Sequence, residues 1–165
     1  MEFTVEAART SDFLNIAALD RISWLDSGSD FIPDGEHVWR VWCEHATVLV
    51  ARTDQTLPES GDIAGALVMF PTQSGQQFLH KIMVHSNCRG QGLGTQLMHA
   101  GLQRATAPVL LTVNPQNQAA VHVYEKLGYH VRELVQGYYR PHEHRYVMIY
   151  TGLTKREQIE LATEA

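Results

Sequence analysis

The sequence predicts an α/β protein built around one mixed sheet. Three observations carry that expectation. The β-rich runs "ATVLVAR", "DIAGALVMF" and "QQFLHKIMV" succeed one another with polar or glycine-containing stretches between them, the pattern of an antiparallel meander. Apolar residues then recur at helical spacing from Leu93 to about Ala105, and the almost wholly apolar "PVLLTV" follows, so a strand, helix, strand unit of the buried parallel kind lies at the centre. Finally, 165 residues of which 44% are hydrophobic suffice for one domain with a continuous core, expected over residues 1–153, with 154–165 as a tail or short helix.

Each element follows from local chemistry. Residues 3 to 9 alternate weakly and read as a first strand. Ser11 or Asp12 then caps an amphipathic helix with the stripe Phe13, Ile16, Ala17, Leu19 and Ile22, ending near Trp24. The stretch "LDSGSDFIPDGEH" is rich in Gly, Ser, Asp and Pro and reads as a loop into a second short helix through about Cys43. Polar "TDQTLPESG" separates the first two strands of the meander. After the central unit, "NPQNQAAVHVYEKLG" is a helix with Asn114 before Pro115 as one candidate cap and Gly128 as its stop. "YHVRELVQGYY" and "HRYVMIY" form a closing hairpin. The last dozen residues carry a T-x-x-E capping pattern, consistent with a terminal helix or a frayed tail.

Composition excludes several function classes. Acidic residues outnumber basic ones 18 to 13 with no long Lys or Arg run, so neither a nucleic-acid stripe nor a membrane-surface patch is expected. There is no basic-then-apolar leader and no run of 18 apolar residues, which points to a soluble cytoplasmic protein. Cys43 and Cys88 are far apart and lack a C-x-x-C partner, so both are expected as reduced thiols. His142-Glu143-His144 offers two ligands on one strand face and nothing that fixes a third, so no metal is expected.

The most pointed stretch is "HKIMVHSNCRGQGLGTQLM". A strand running into Gly90, Gly92 and Gly94 and then into a helix lets several backbone N–H groups face one place, a geometry that binds phosphate. The glycines also permit a tight turn and close helix packing. A dinucleotide fingerprint needs an acidic residue about 20 positions on, where this chain has "LTVNP", and no G-K-[ST] marks a triphosphate loop. Arg89 beside the amides favours a pyrophosphate.

Arg89-Gly90-Gln91-Gly92-Leu93-Gly94, after a strand ending in Met83-Val84, resembles the R-x-x-G-x-G acetyl-CoA signature of the GCN5-related N-acetyltransferase (GNAT) superfamily. Asn117, Ala120, Tyr124, Gly128 and Tyr129 match that superfamily's N-x-x-A-x-x-x-Y-x-x-x-G-[FY] segment downstream. The resemblance implies a splayed mixed sheet flanked by about four helices. It also implies acetyl-CoA as acetyl donor, bound by Met83 and Val84 main chain, by the Arg89, Gly90, Gln91, Gly92, Gly94 and Thr95 loop, and by Asn117. Tyr124 would sit at the thioester sulfur and protonate the departing thiolate. The other reading of Tyr124 is an amphipathic core tyrosine.

Direct attack needs a neutral amine. A peptide α-amine is roughly a tenth to a third free near neutral pH, whereas a lysine is less than about 0.1% free. His80 precedes the glycine loop on its strand, where several acetyltransferases of this superfamily carry a Glu or His that takes the proton through water. The alternative is a partly exposed strand residue, and His85 reads as structural.

The acceptor groove implied by the resemblance lies between the "WLDSGSDFIPDGEH" loop and the final hairpin. Tyr138 and Tyr139, with Arg145-Tyr146-Val147-Met148, and more faintly Phe31 near Pro33, are similar to ribosomal-protein-alanine and other protein N-terminal acetyltransferases. Those enzymes usually carry Glu and then Arg around the strand before the second motif, where this chain has Thr112 and Asn114. A peptide N-terminus is therefore one expected acceptor and a small-molecule amine the other. A non-catalytic acetyl-CoA sensor is a third class, against which the presence of Tyr124 argues. The chain is expected as a monomer or homodimer.

Overall fold

The computed structural model describes residues 1–27 and 32–152, together with Glu160 and Thr163. In order, the elements are β1 (Phe3–Ala7), α1 (Phe13–Ser27), α2 (Glu36–His45), β2 (Thr47–Leu57), β3 (Gly61–Pro71), β4 (Gln77–Val84), α3 (Leu93–Arg104), β5 (Val109–Val113), α4 (Gln118–Lys126), β6 (His130–Val135) and β7 (Arg145–Tyr150). The strands hydrogen-bond in the order β1-β2-β3-β4-β5-β7-β6, a mixed seven-stranded sheet as the sequence predicts. Two compact units divide the chain, Met1–Pro71 with Leu79–Arg104 and Thr72–Phe78 with Ala105–Ala165.

In the first unit β2 pairs antiparallel with β1, Phe3 opposite Thr53, and with β3, Val48 opposite Val68. Successive strand side chains point to opposite faces. On one face Val48, Val50, Ala66 and Val68 join Ile16, Leu19 and Trp39 of the helices in one buried cluster. Each of the larger aliphatic side chains contributes about 1.5–3 kcal/mol through its removal from water. On the other face Leu67 meets α3 so closely that a Cβ at Gly101 would stand 3.3 Å from its methyl carbons, a tight contact that the missing side chain at 101 avoids.

Three local expectations are corrected in this unit. The polar connection after β2 is shorter than its composition suggests, because Thr53 pairs with Phe3 and Leu57 with Gly61 through two register shifts, leaving Pro58–Ser60 as the turn. Residues 10–12 form a 3-10 turn, in which the Asp12 carboxylate accepts the Arg9 N–H at 2.7 Å and also pairs with Arg52. Helix α1 runs on past Trp24 to Ser27.

In the second unit β5 pairs in parallel with the start of β4, Gln77 opposite Val109 and Phe78 opposite Leu110, and antiparallel with β7. β6 and β7 form the expected hairpin with a bulge between Val131 and Glu133. Leu110, Val147 and Ile149 form its core with Phe78 and Val135 packed against them. The helix cap differs from expectation. Asn114 uses its side chain on the Gln116 N–H at 3.0 Å and its carbonyl on the Asn117 N–H, closing a turn of its own. Asn117 is the cap of α4, its Oδ1 accepting the Ala120 N–H at 3.2 Å. Gly128, at φ +104, ends the helix in a conformation open to glycine. The predicted T-x-x-E pattern at Thr154–Glu157 lies outside the described residues. No helix among the described residues is long and apolar enough to cross a membrane.

Candidate active site

Strand β4 delivers the chain to the glycine turn. Just past its end His85 is buried, accepting the Asn87 N–H on Nδ1 at 3.2 Å with Nε2 3.1 Å from the Pro58 carbonyl. A carbonyl only accepts, so Nε2 donates to Pro58 while Nδ1 accepts from Asn87, and the ring pins the turn from both sides. Gly90 and Gly92 follow at φ +76 and +74, each with nothing within 4 Å of where a Cβ would be. These two glycines are demanded by the backbone, whereas Gly94 has an ordinary φ and a Cβ there would make a normal 3.7 Å contact with Val84. The first helical hydrogen bond runs from the Gln96 N–H to the Gly92 carbonyl, so the amides of Leu93, Gly94 and Thr95 precede the ladder. Gln91 is exposed on the turn. The Arg89 guanidinium donates to the Val84 carbonyl at 3.2 Å and lies 3.5 Å from the Asp26 carboxylate, so one of the main-chain groups expected to meet the cofactor has a side-chain donor on it.

A second constellation lies in the same unit. Asp20, on the buried stripe of α1, is fully inaccessible and accepts from Trp39 Nε1 at 2.9 Å, from the Asp34 N–H at 2.8 Å and from Lys81 Nζ at 3.0 and 3.1 Å. Lys81 also donates to the Ile32 carbonyl at 3.0 Å and to Asp34 Oδ2 at 2.8 Å. That same oxygen is 3.1 Å from His80 Nε2. Burial opposes the charge on Asp34, but hydrogen bonds from His80 and Lys81 outweigh it and hold the carboxyl below its ordinary range. The His80 ring sits 5.1 Å from Trp42 and 6.1 Å from Phe70, which stack on each other. The sequence motifs point to His80 and not to Asp20, Asp34, Lys81 or Trp42. The available signal was two charges inside apolar runs, Asp20 within "IAALDRIS" and Lys81 within "FLHKIMV".

The second unit holds the tyrosines. Tyr124 is half-buried on α4, its ring 6.0 Å from Tyr129, and burial raises its phenol above the ordinary value, so it is held protonated. Tyr138 and Tyr139 are exposed and meet edge to face at 4.9 Å. Arg145 lies 5.1 Å over the Tyr139 ring, and the Tyr139 hydroxyl is 3.4 Å from Thr112 Oγ1 on β5. His144 spends its Nδ1 on the Gly137 N–H at 2.9 Å. Burial also pushes both thiols up, that of Cys43 to about 11, so neither is a ready nucleophile. Phe31, expected at the acceptor, lies outside the described residues.

The sequence profile of the Acetyltransferase (GNAT) family matches residues 16–129. An uncharacterized N-acetyltransferase of Methanocaldococcus jannaschii is 33% identical over 66 residues, a stretch covering 38% of this chain and 29% of that protein. The chain thus spans under a third of the length of that curated relative. Among solved structures, the ribosomal-protein-S18-alanine N-acetyltransferase from Escherichia coli superposes with a TM-score of 0.74 at 20% identity, covering 91% of this chain and 94% of that one. A GNAT-family acetyltransferase from Streptococcus pneumoniae gives 0.70 at 22% identity over 91% and 99%. These two share its fold. With the family profile covering well over half of its length, the chain belongs to the GNAT family of acetyltransferases.

Proposed function

We propose that this protein transfers the acetyl group of acetyl-CoA to a primary amine by direct attack, and that the amine is the α-amine of a protein or peptide. The observation that carries the reading is the chain from residue 80 to 95, which presents a titratable imidazole on β4 and then an amide-lined turn at a helix N-terminus. Gly90 and Gly92 leave open the space that side chains would fill, and the free amides of Leu93 to Thr95 with the Arg89 guanidinium fit a pyrophosphate. The Arg89 pair with Asp26 is an exposed ion pair, weak enough to be exchanged for a phosphate. When bound, acetyl-CoA supplies an activated thioester carbonyl.

The remaining roles belong to this chain's own groups. Main-chain groups of Met83 and Val84 hold the pantetheine amides, and Asn117, whose Oδ1 caps α4, has its side-chain amide N–H groups left to donate. His80 takes the amine's proton. Tyr124, kept protonated by burial and without a hydrogen-bond partner for its hydroxyl among the described residues, gives a proton to the leaving thiolate.

For the acceptor, the exposed Tyr138–Tyr139 pair supports a peptide wall, and an α-amine is far more often neutral near pH 7 than a lysine. A small-molecule amine is the second reading, favoured by Thr112, whose short hydroxyl side chain engages Tyr139 on the strand where N-terminal acetyltransferases usually carry a carboxylate. The test is coenzyme A release with short peptides bearing a free N-terminus, the same peptides blocked there but carrying lysine, polyamines and aminoglycosides. The free-N-terminus peptides are expected to react fastest. Faster turnover of a polyamine or aminoglycoside would replace the peptide reading with the second one.

A further inference from the structure

We infer that Asp34 is the positioning residue of His80: its carboxylate fixes the imidazole in one tautomer and orientation, so that Nδ1 is the basic nitrogen offered to the acceptor amine. This rests on the reading of His80 as the base. Asp34 Oδ2 lies 3.1 Å from His80 Nε2, and an ionised carboxylate can only accept, so the proton between them belongs to Nε2. The remaining nitrogen, Nδ1, then carries the lone pair. Lys81 Nζ, 2.8 Å from the same oxygen, keeps the carboxylate ionised.

The arrangement is anchored from several elements at once. Asp20 of α1 holds the Asp34 main-chain N–H and the Lys81 ammonium, and Lys81 ties down the Ile32 carbonyl, so the segment carrying Asp34 is fastened to β4. Among the described residues, the charged groups placed around His80 are Asp34 directly, with Lys81 and Asp20 behind it. From α2 and β3 the rings of Trp42 and Phe70 lie 5.1 and 6.1 Å from it and limit how it can turn. With two carboxylates and one ammonium, the cluster carries one net negative charge, which suits a cationic amine on arrival. As the amine surrenders a proton, Nδ1 receives it and the imidazolium stands beside the Asp34 carboxylate. The proton leaves to solvent in the next step.

Asp34→Asn tests this, because an amide can turn its NH2 toward the ring and draw the proton to Nδ1. In the wild type, nitrogen-15 spectra of the imidazole at a pH where it is neutral should show protonated Nε2. In Asp34→Asn the signal should move to protonated Nδ1 or to a mixture, and kcat/KM should fall about tenfold to hundredfold. His80→Gln should cost at least as much, and adding Asp34→Asn to it should cost nothing further, since a residue that acts through His80 has nothing left to position. If His80→Gln keeps normal kcat/KM, the base reading itself is wrong. If His80→Gln is impaired but the two losses multiply, or the tautomer is unchanged in Asp34→Asn, the positioning role is wrong while the base stands. The melting temperature of each variant checks that fold loss is not the source of either result.

Discussion

The two compact units differ in how completely their buried polar groups are matched. In the first, such groups are matched: Asp20 takes four donor contacts, Ser60 donates to the Ile63 carbonyl, and Arg52 is gripped by Glu6, Asp12 and Asp62, which keep its guanidinium firmly protonated. In the second, Gln77 Oε1, the Tyr129 hydroxyl and His130 Nδ1 are buried with no hydrogen-bond partner among the described residues. A buried group without a partner costs about 1–3 kcal/mol, so the contrast is energetic as well as geometric. In the proposed mechanism it separates two ways to tune a proton-transfer group. Fixed charge orients an imidazole in the first unit, and removal from water keeps phenols protonated in the second, where Tyr124 and Tyr129 are both pushed up mainly by burial.

Breaking the matched network should give the largest effect. Asp20→Ala would strip the acceptor from Trp39 Nε1 and the Asp34 N–H and leave Lys81, 9% exposed, with only part of its counter-charge. Removing one partner of a buried ion pair typically costs about 3–5 kcal/mol. Chemical denaturation should report a loss of that size, and a loss under about 1 kcal/mol would mean that the network contributes little to holding α1 against β4.

Next in size is the test of the second unit's device. Tyr124→Phe keeps the ring beside Tyr129 and removes the proton donor, so kcat should fall about 10²-fold with acetyl-CoA affinity and melting temperature nearly unchanged. A tyrosine that served only as packing would leave turnover close to wild type. That outcome would confine proton-transfer chemistry in this protein to the charged cluster.

Much of the fold could be read from the sequence because it rests on periodicity. The β-rich run "ATVLVAR" and the helical stripe from Leu93 to Leu102 are short-range signals, and the glycine turn is written in consecutive residues. The failures share one cause. Thr53–Leu57 is polar enough to read as a connection, but pairing of Thr53 with Phe3, fifty positions away, keeps it in the strand. Asn114 and Asn117 are equally good caps by type, and only the extra turn closed by the Asn114 carbonyl decides between them. The His80 cluster is held by the contacts Asp20–Asp34, Asp34–His80 and Asp20–Lys81, which span 14, 46 and 61 residues of sequence. No local pattern encodes such pairings. The sequence therefore showed the imidazole but not the carboxylate that orients it.

The smallest expected effect has the opposite sign to the others and sharpens the contrast most. Tyr129 is 3% exposed, packed between Tyr124 and Tyr150, and its hydroxyl is among the orphaned groups. Tyrosine to phenylalanine usually destabilises a protein because a partner loses its hydrogen bond. Here no described partner exists to lose one, so Tyr129→Phe relieves a desolvated hydroxyl while keeping the ring contacts, and the G-[FY] pattern of the second motif accepts either residue at this place. Stability should stay level or rise by up to about 1 kcal/mol, a shift of a few degrees at most in the melting temperature of a chain of this size. Turnover should hold, since the ring beside Tyr124 is retained. A clear drop in melting temperature would show that the hydroxyl is satisfied in solution, and the second unit would then match its buried polar groups as the first one does.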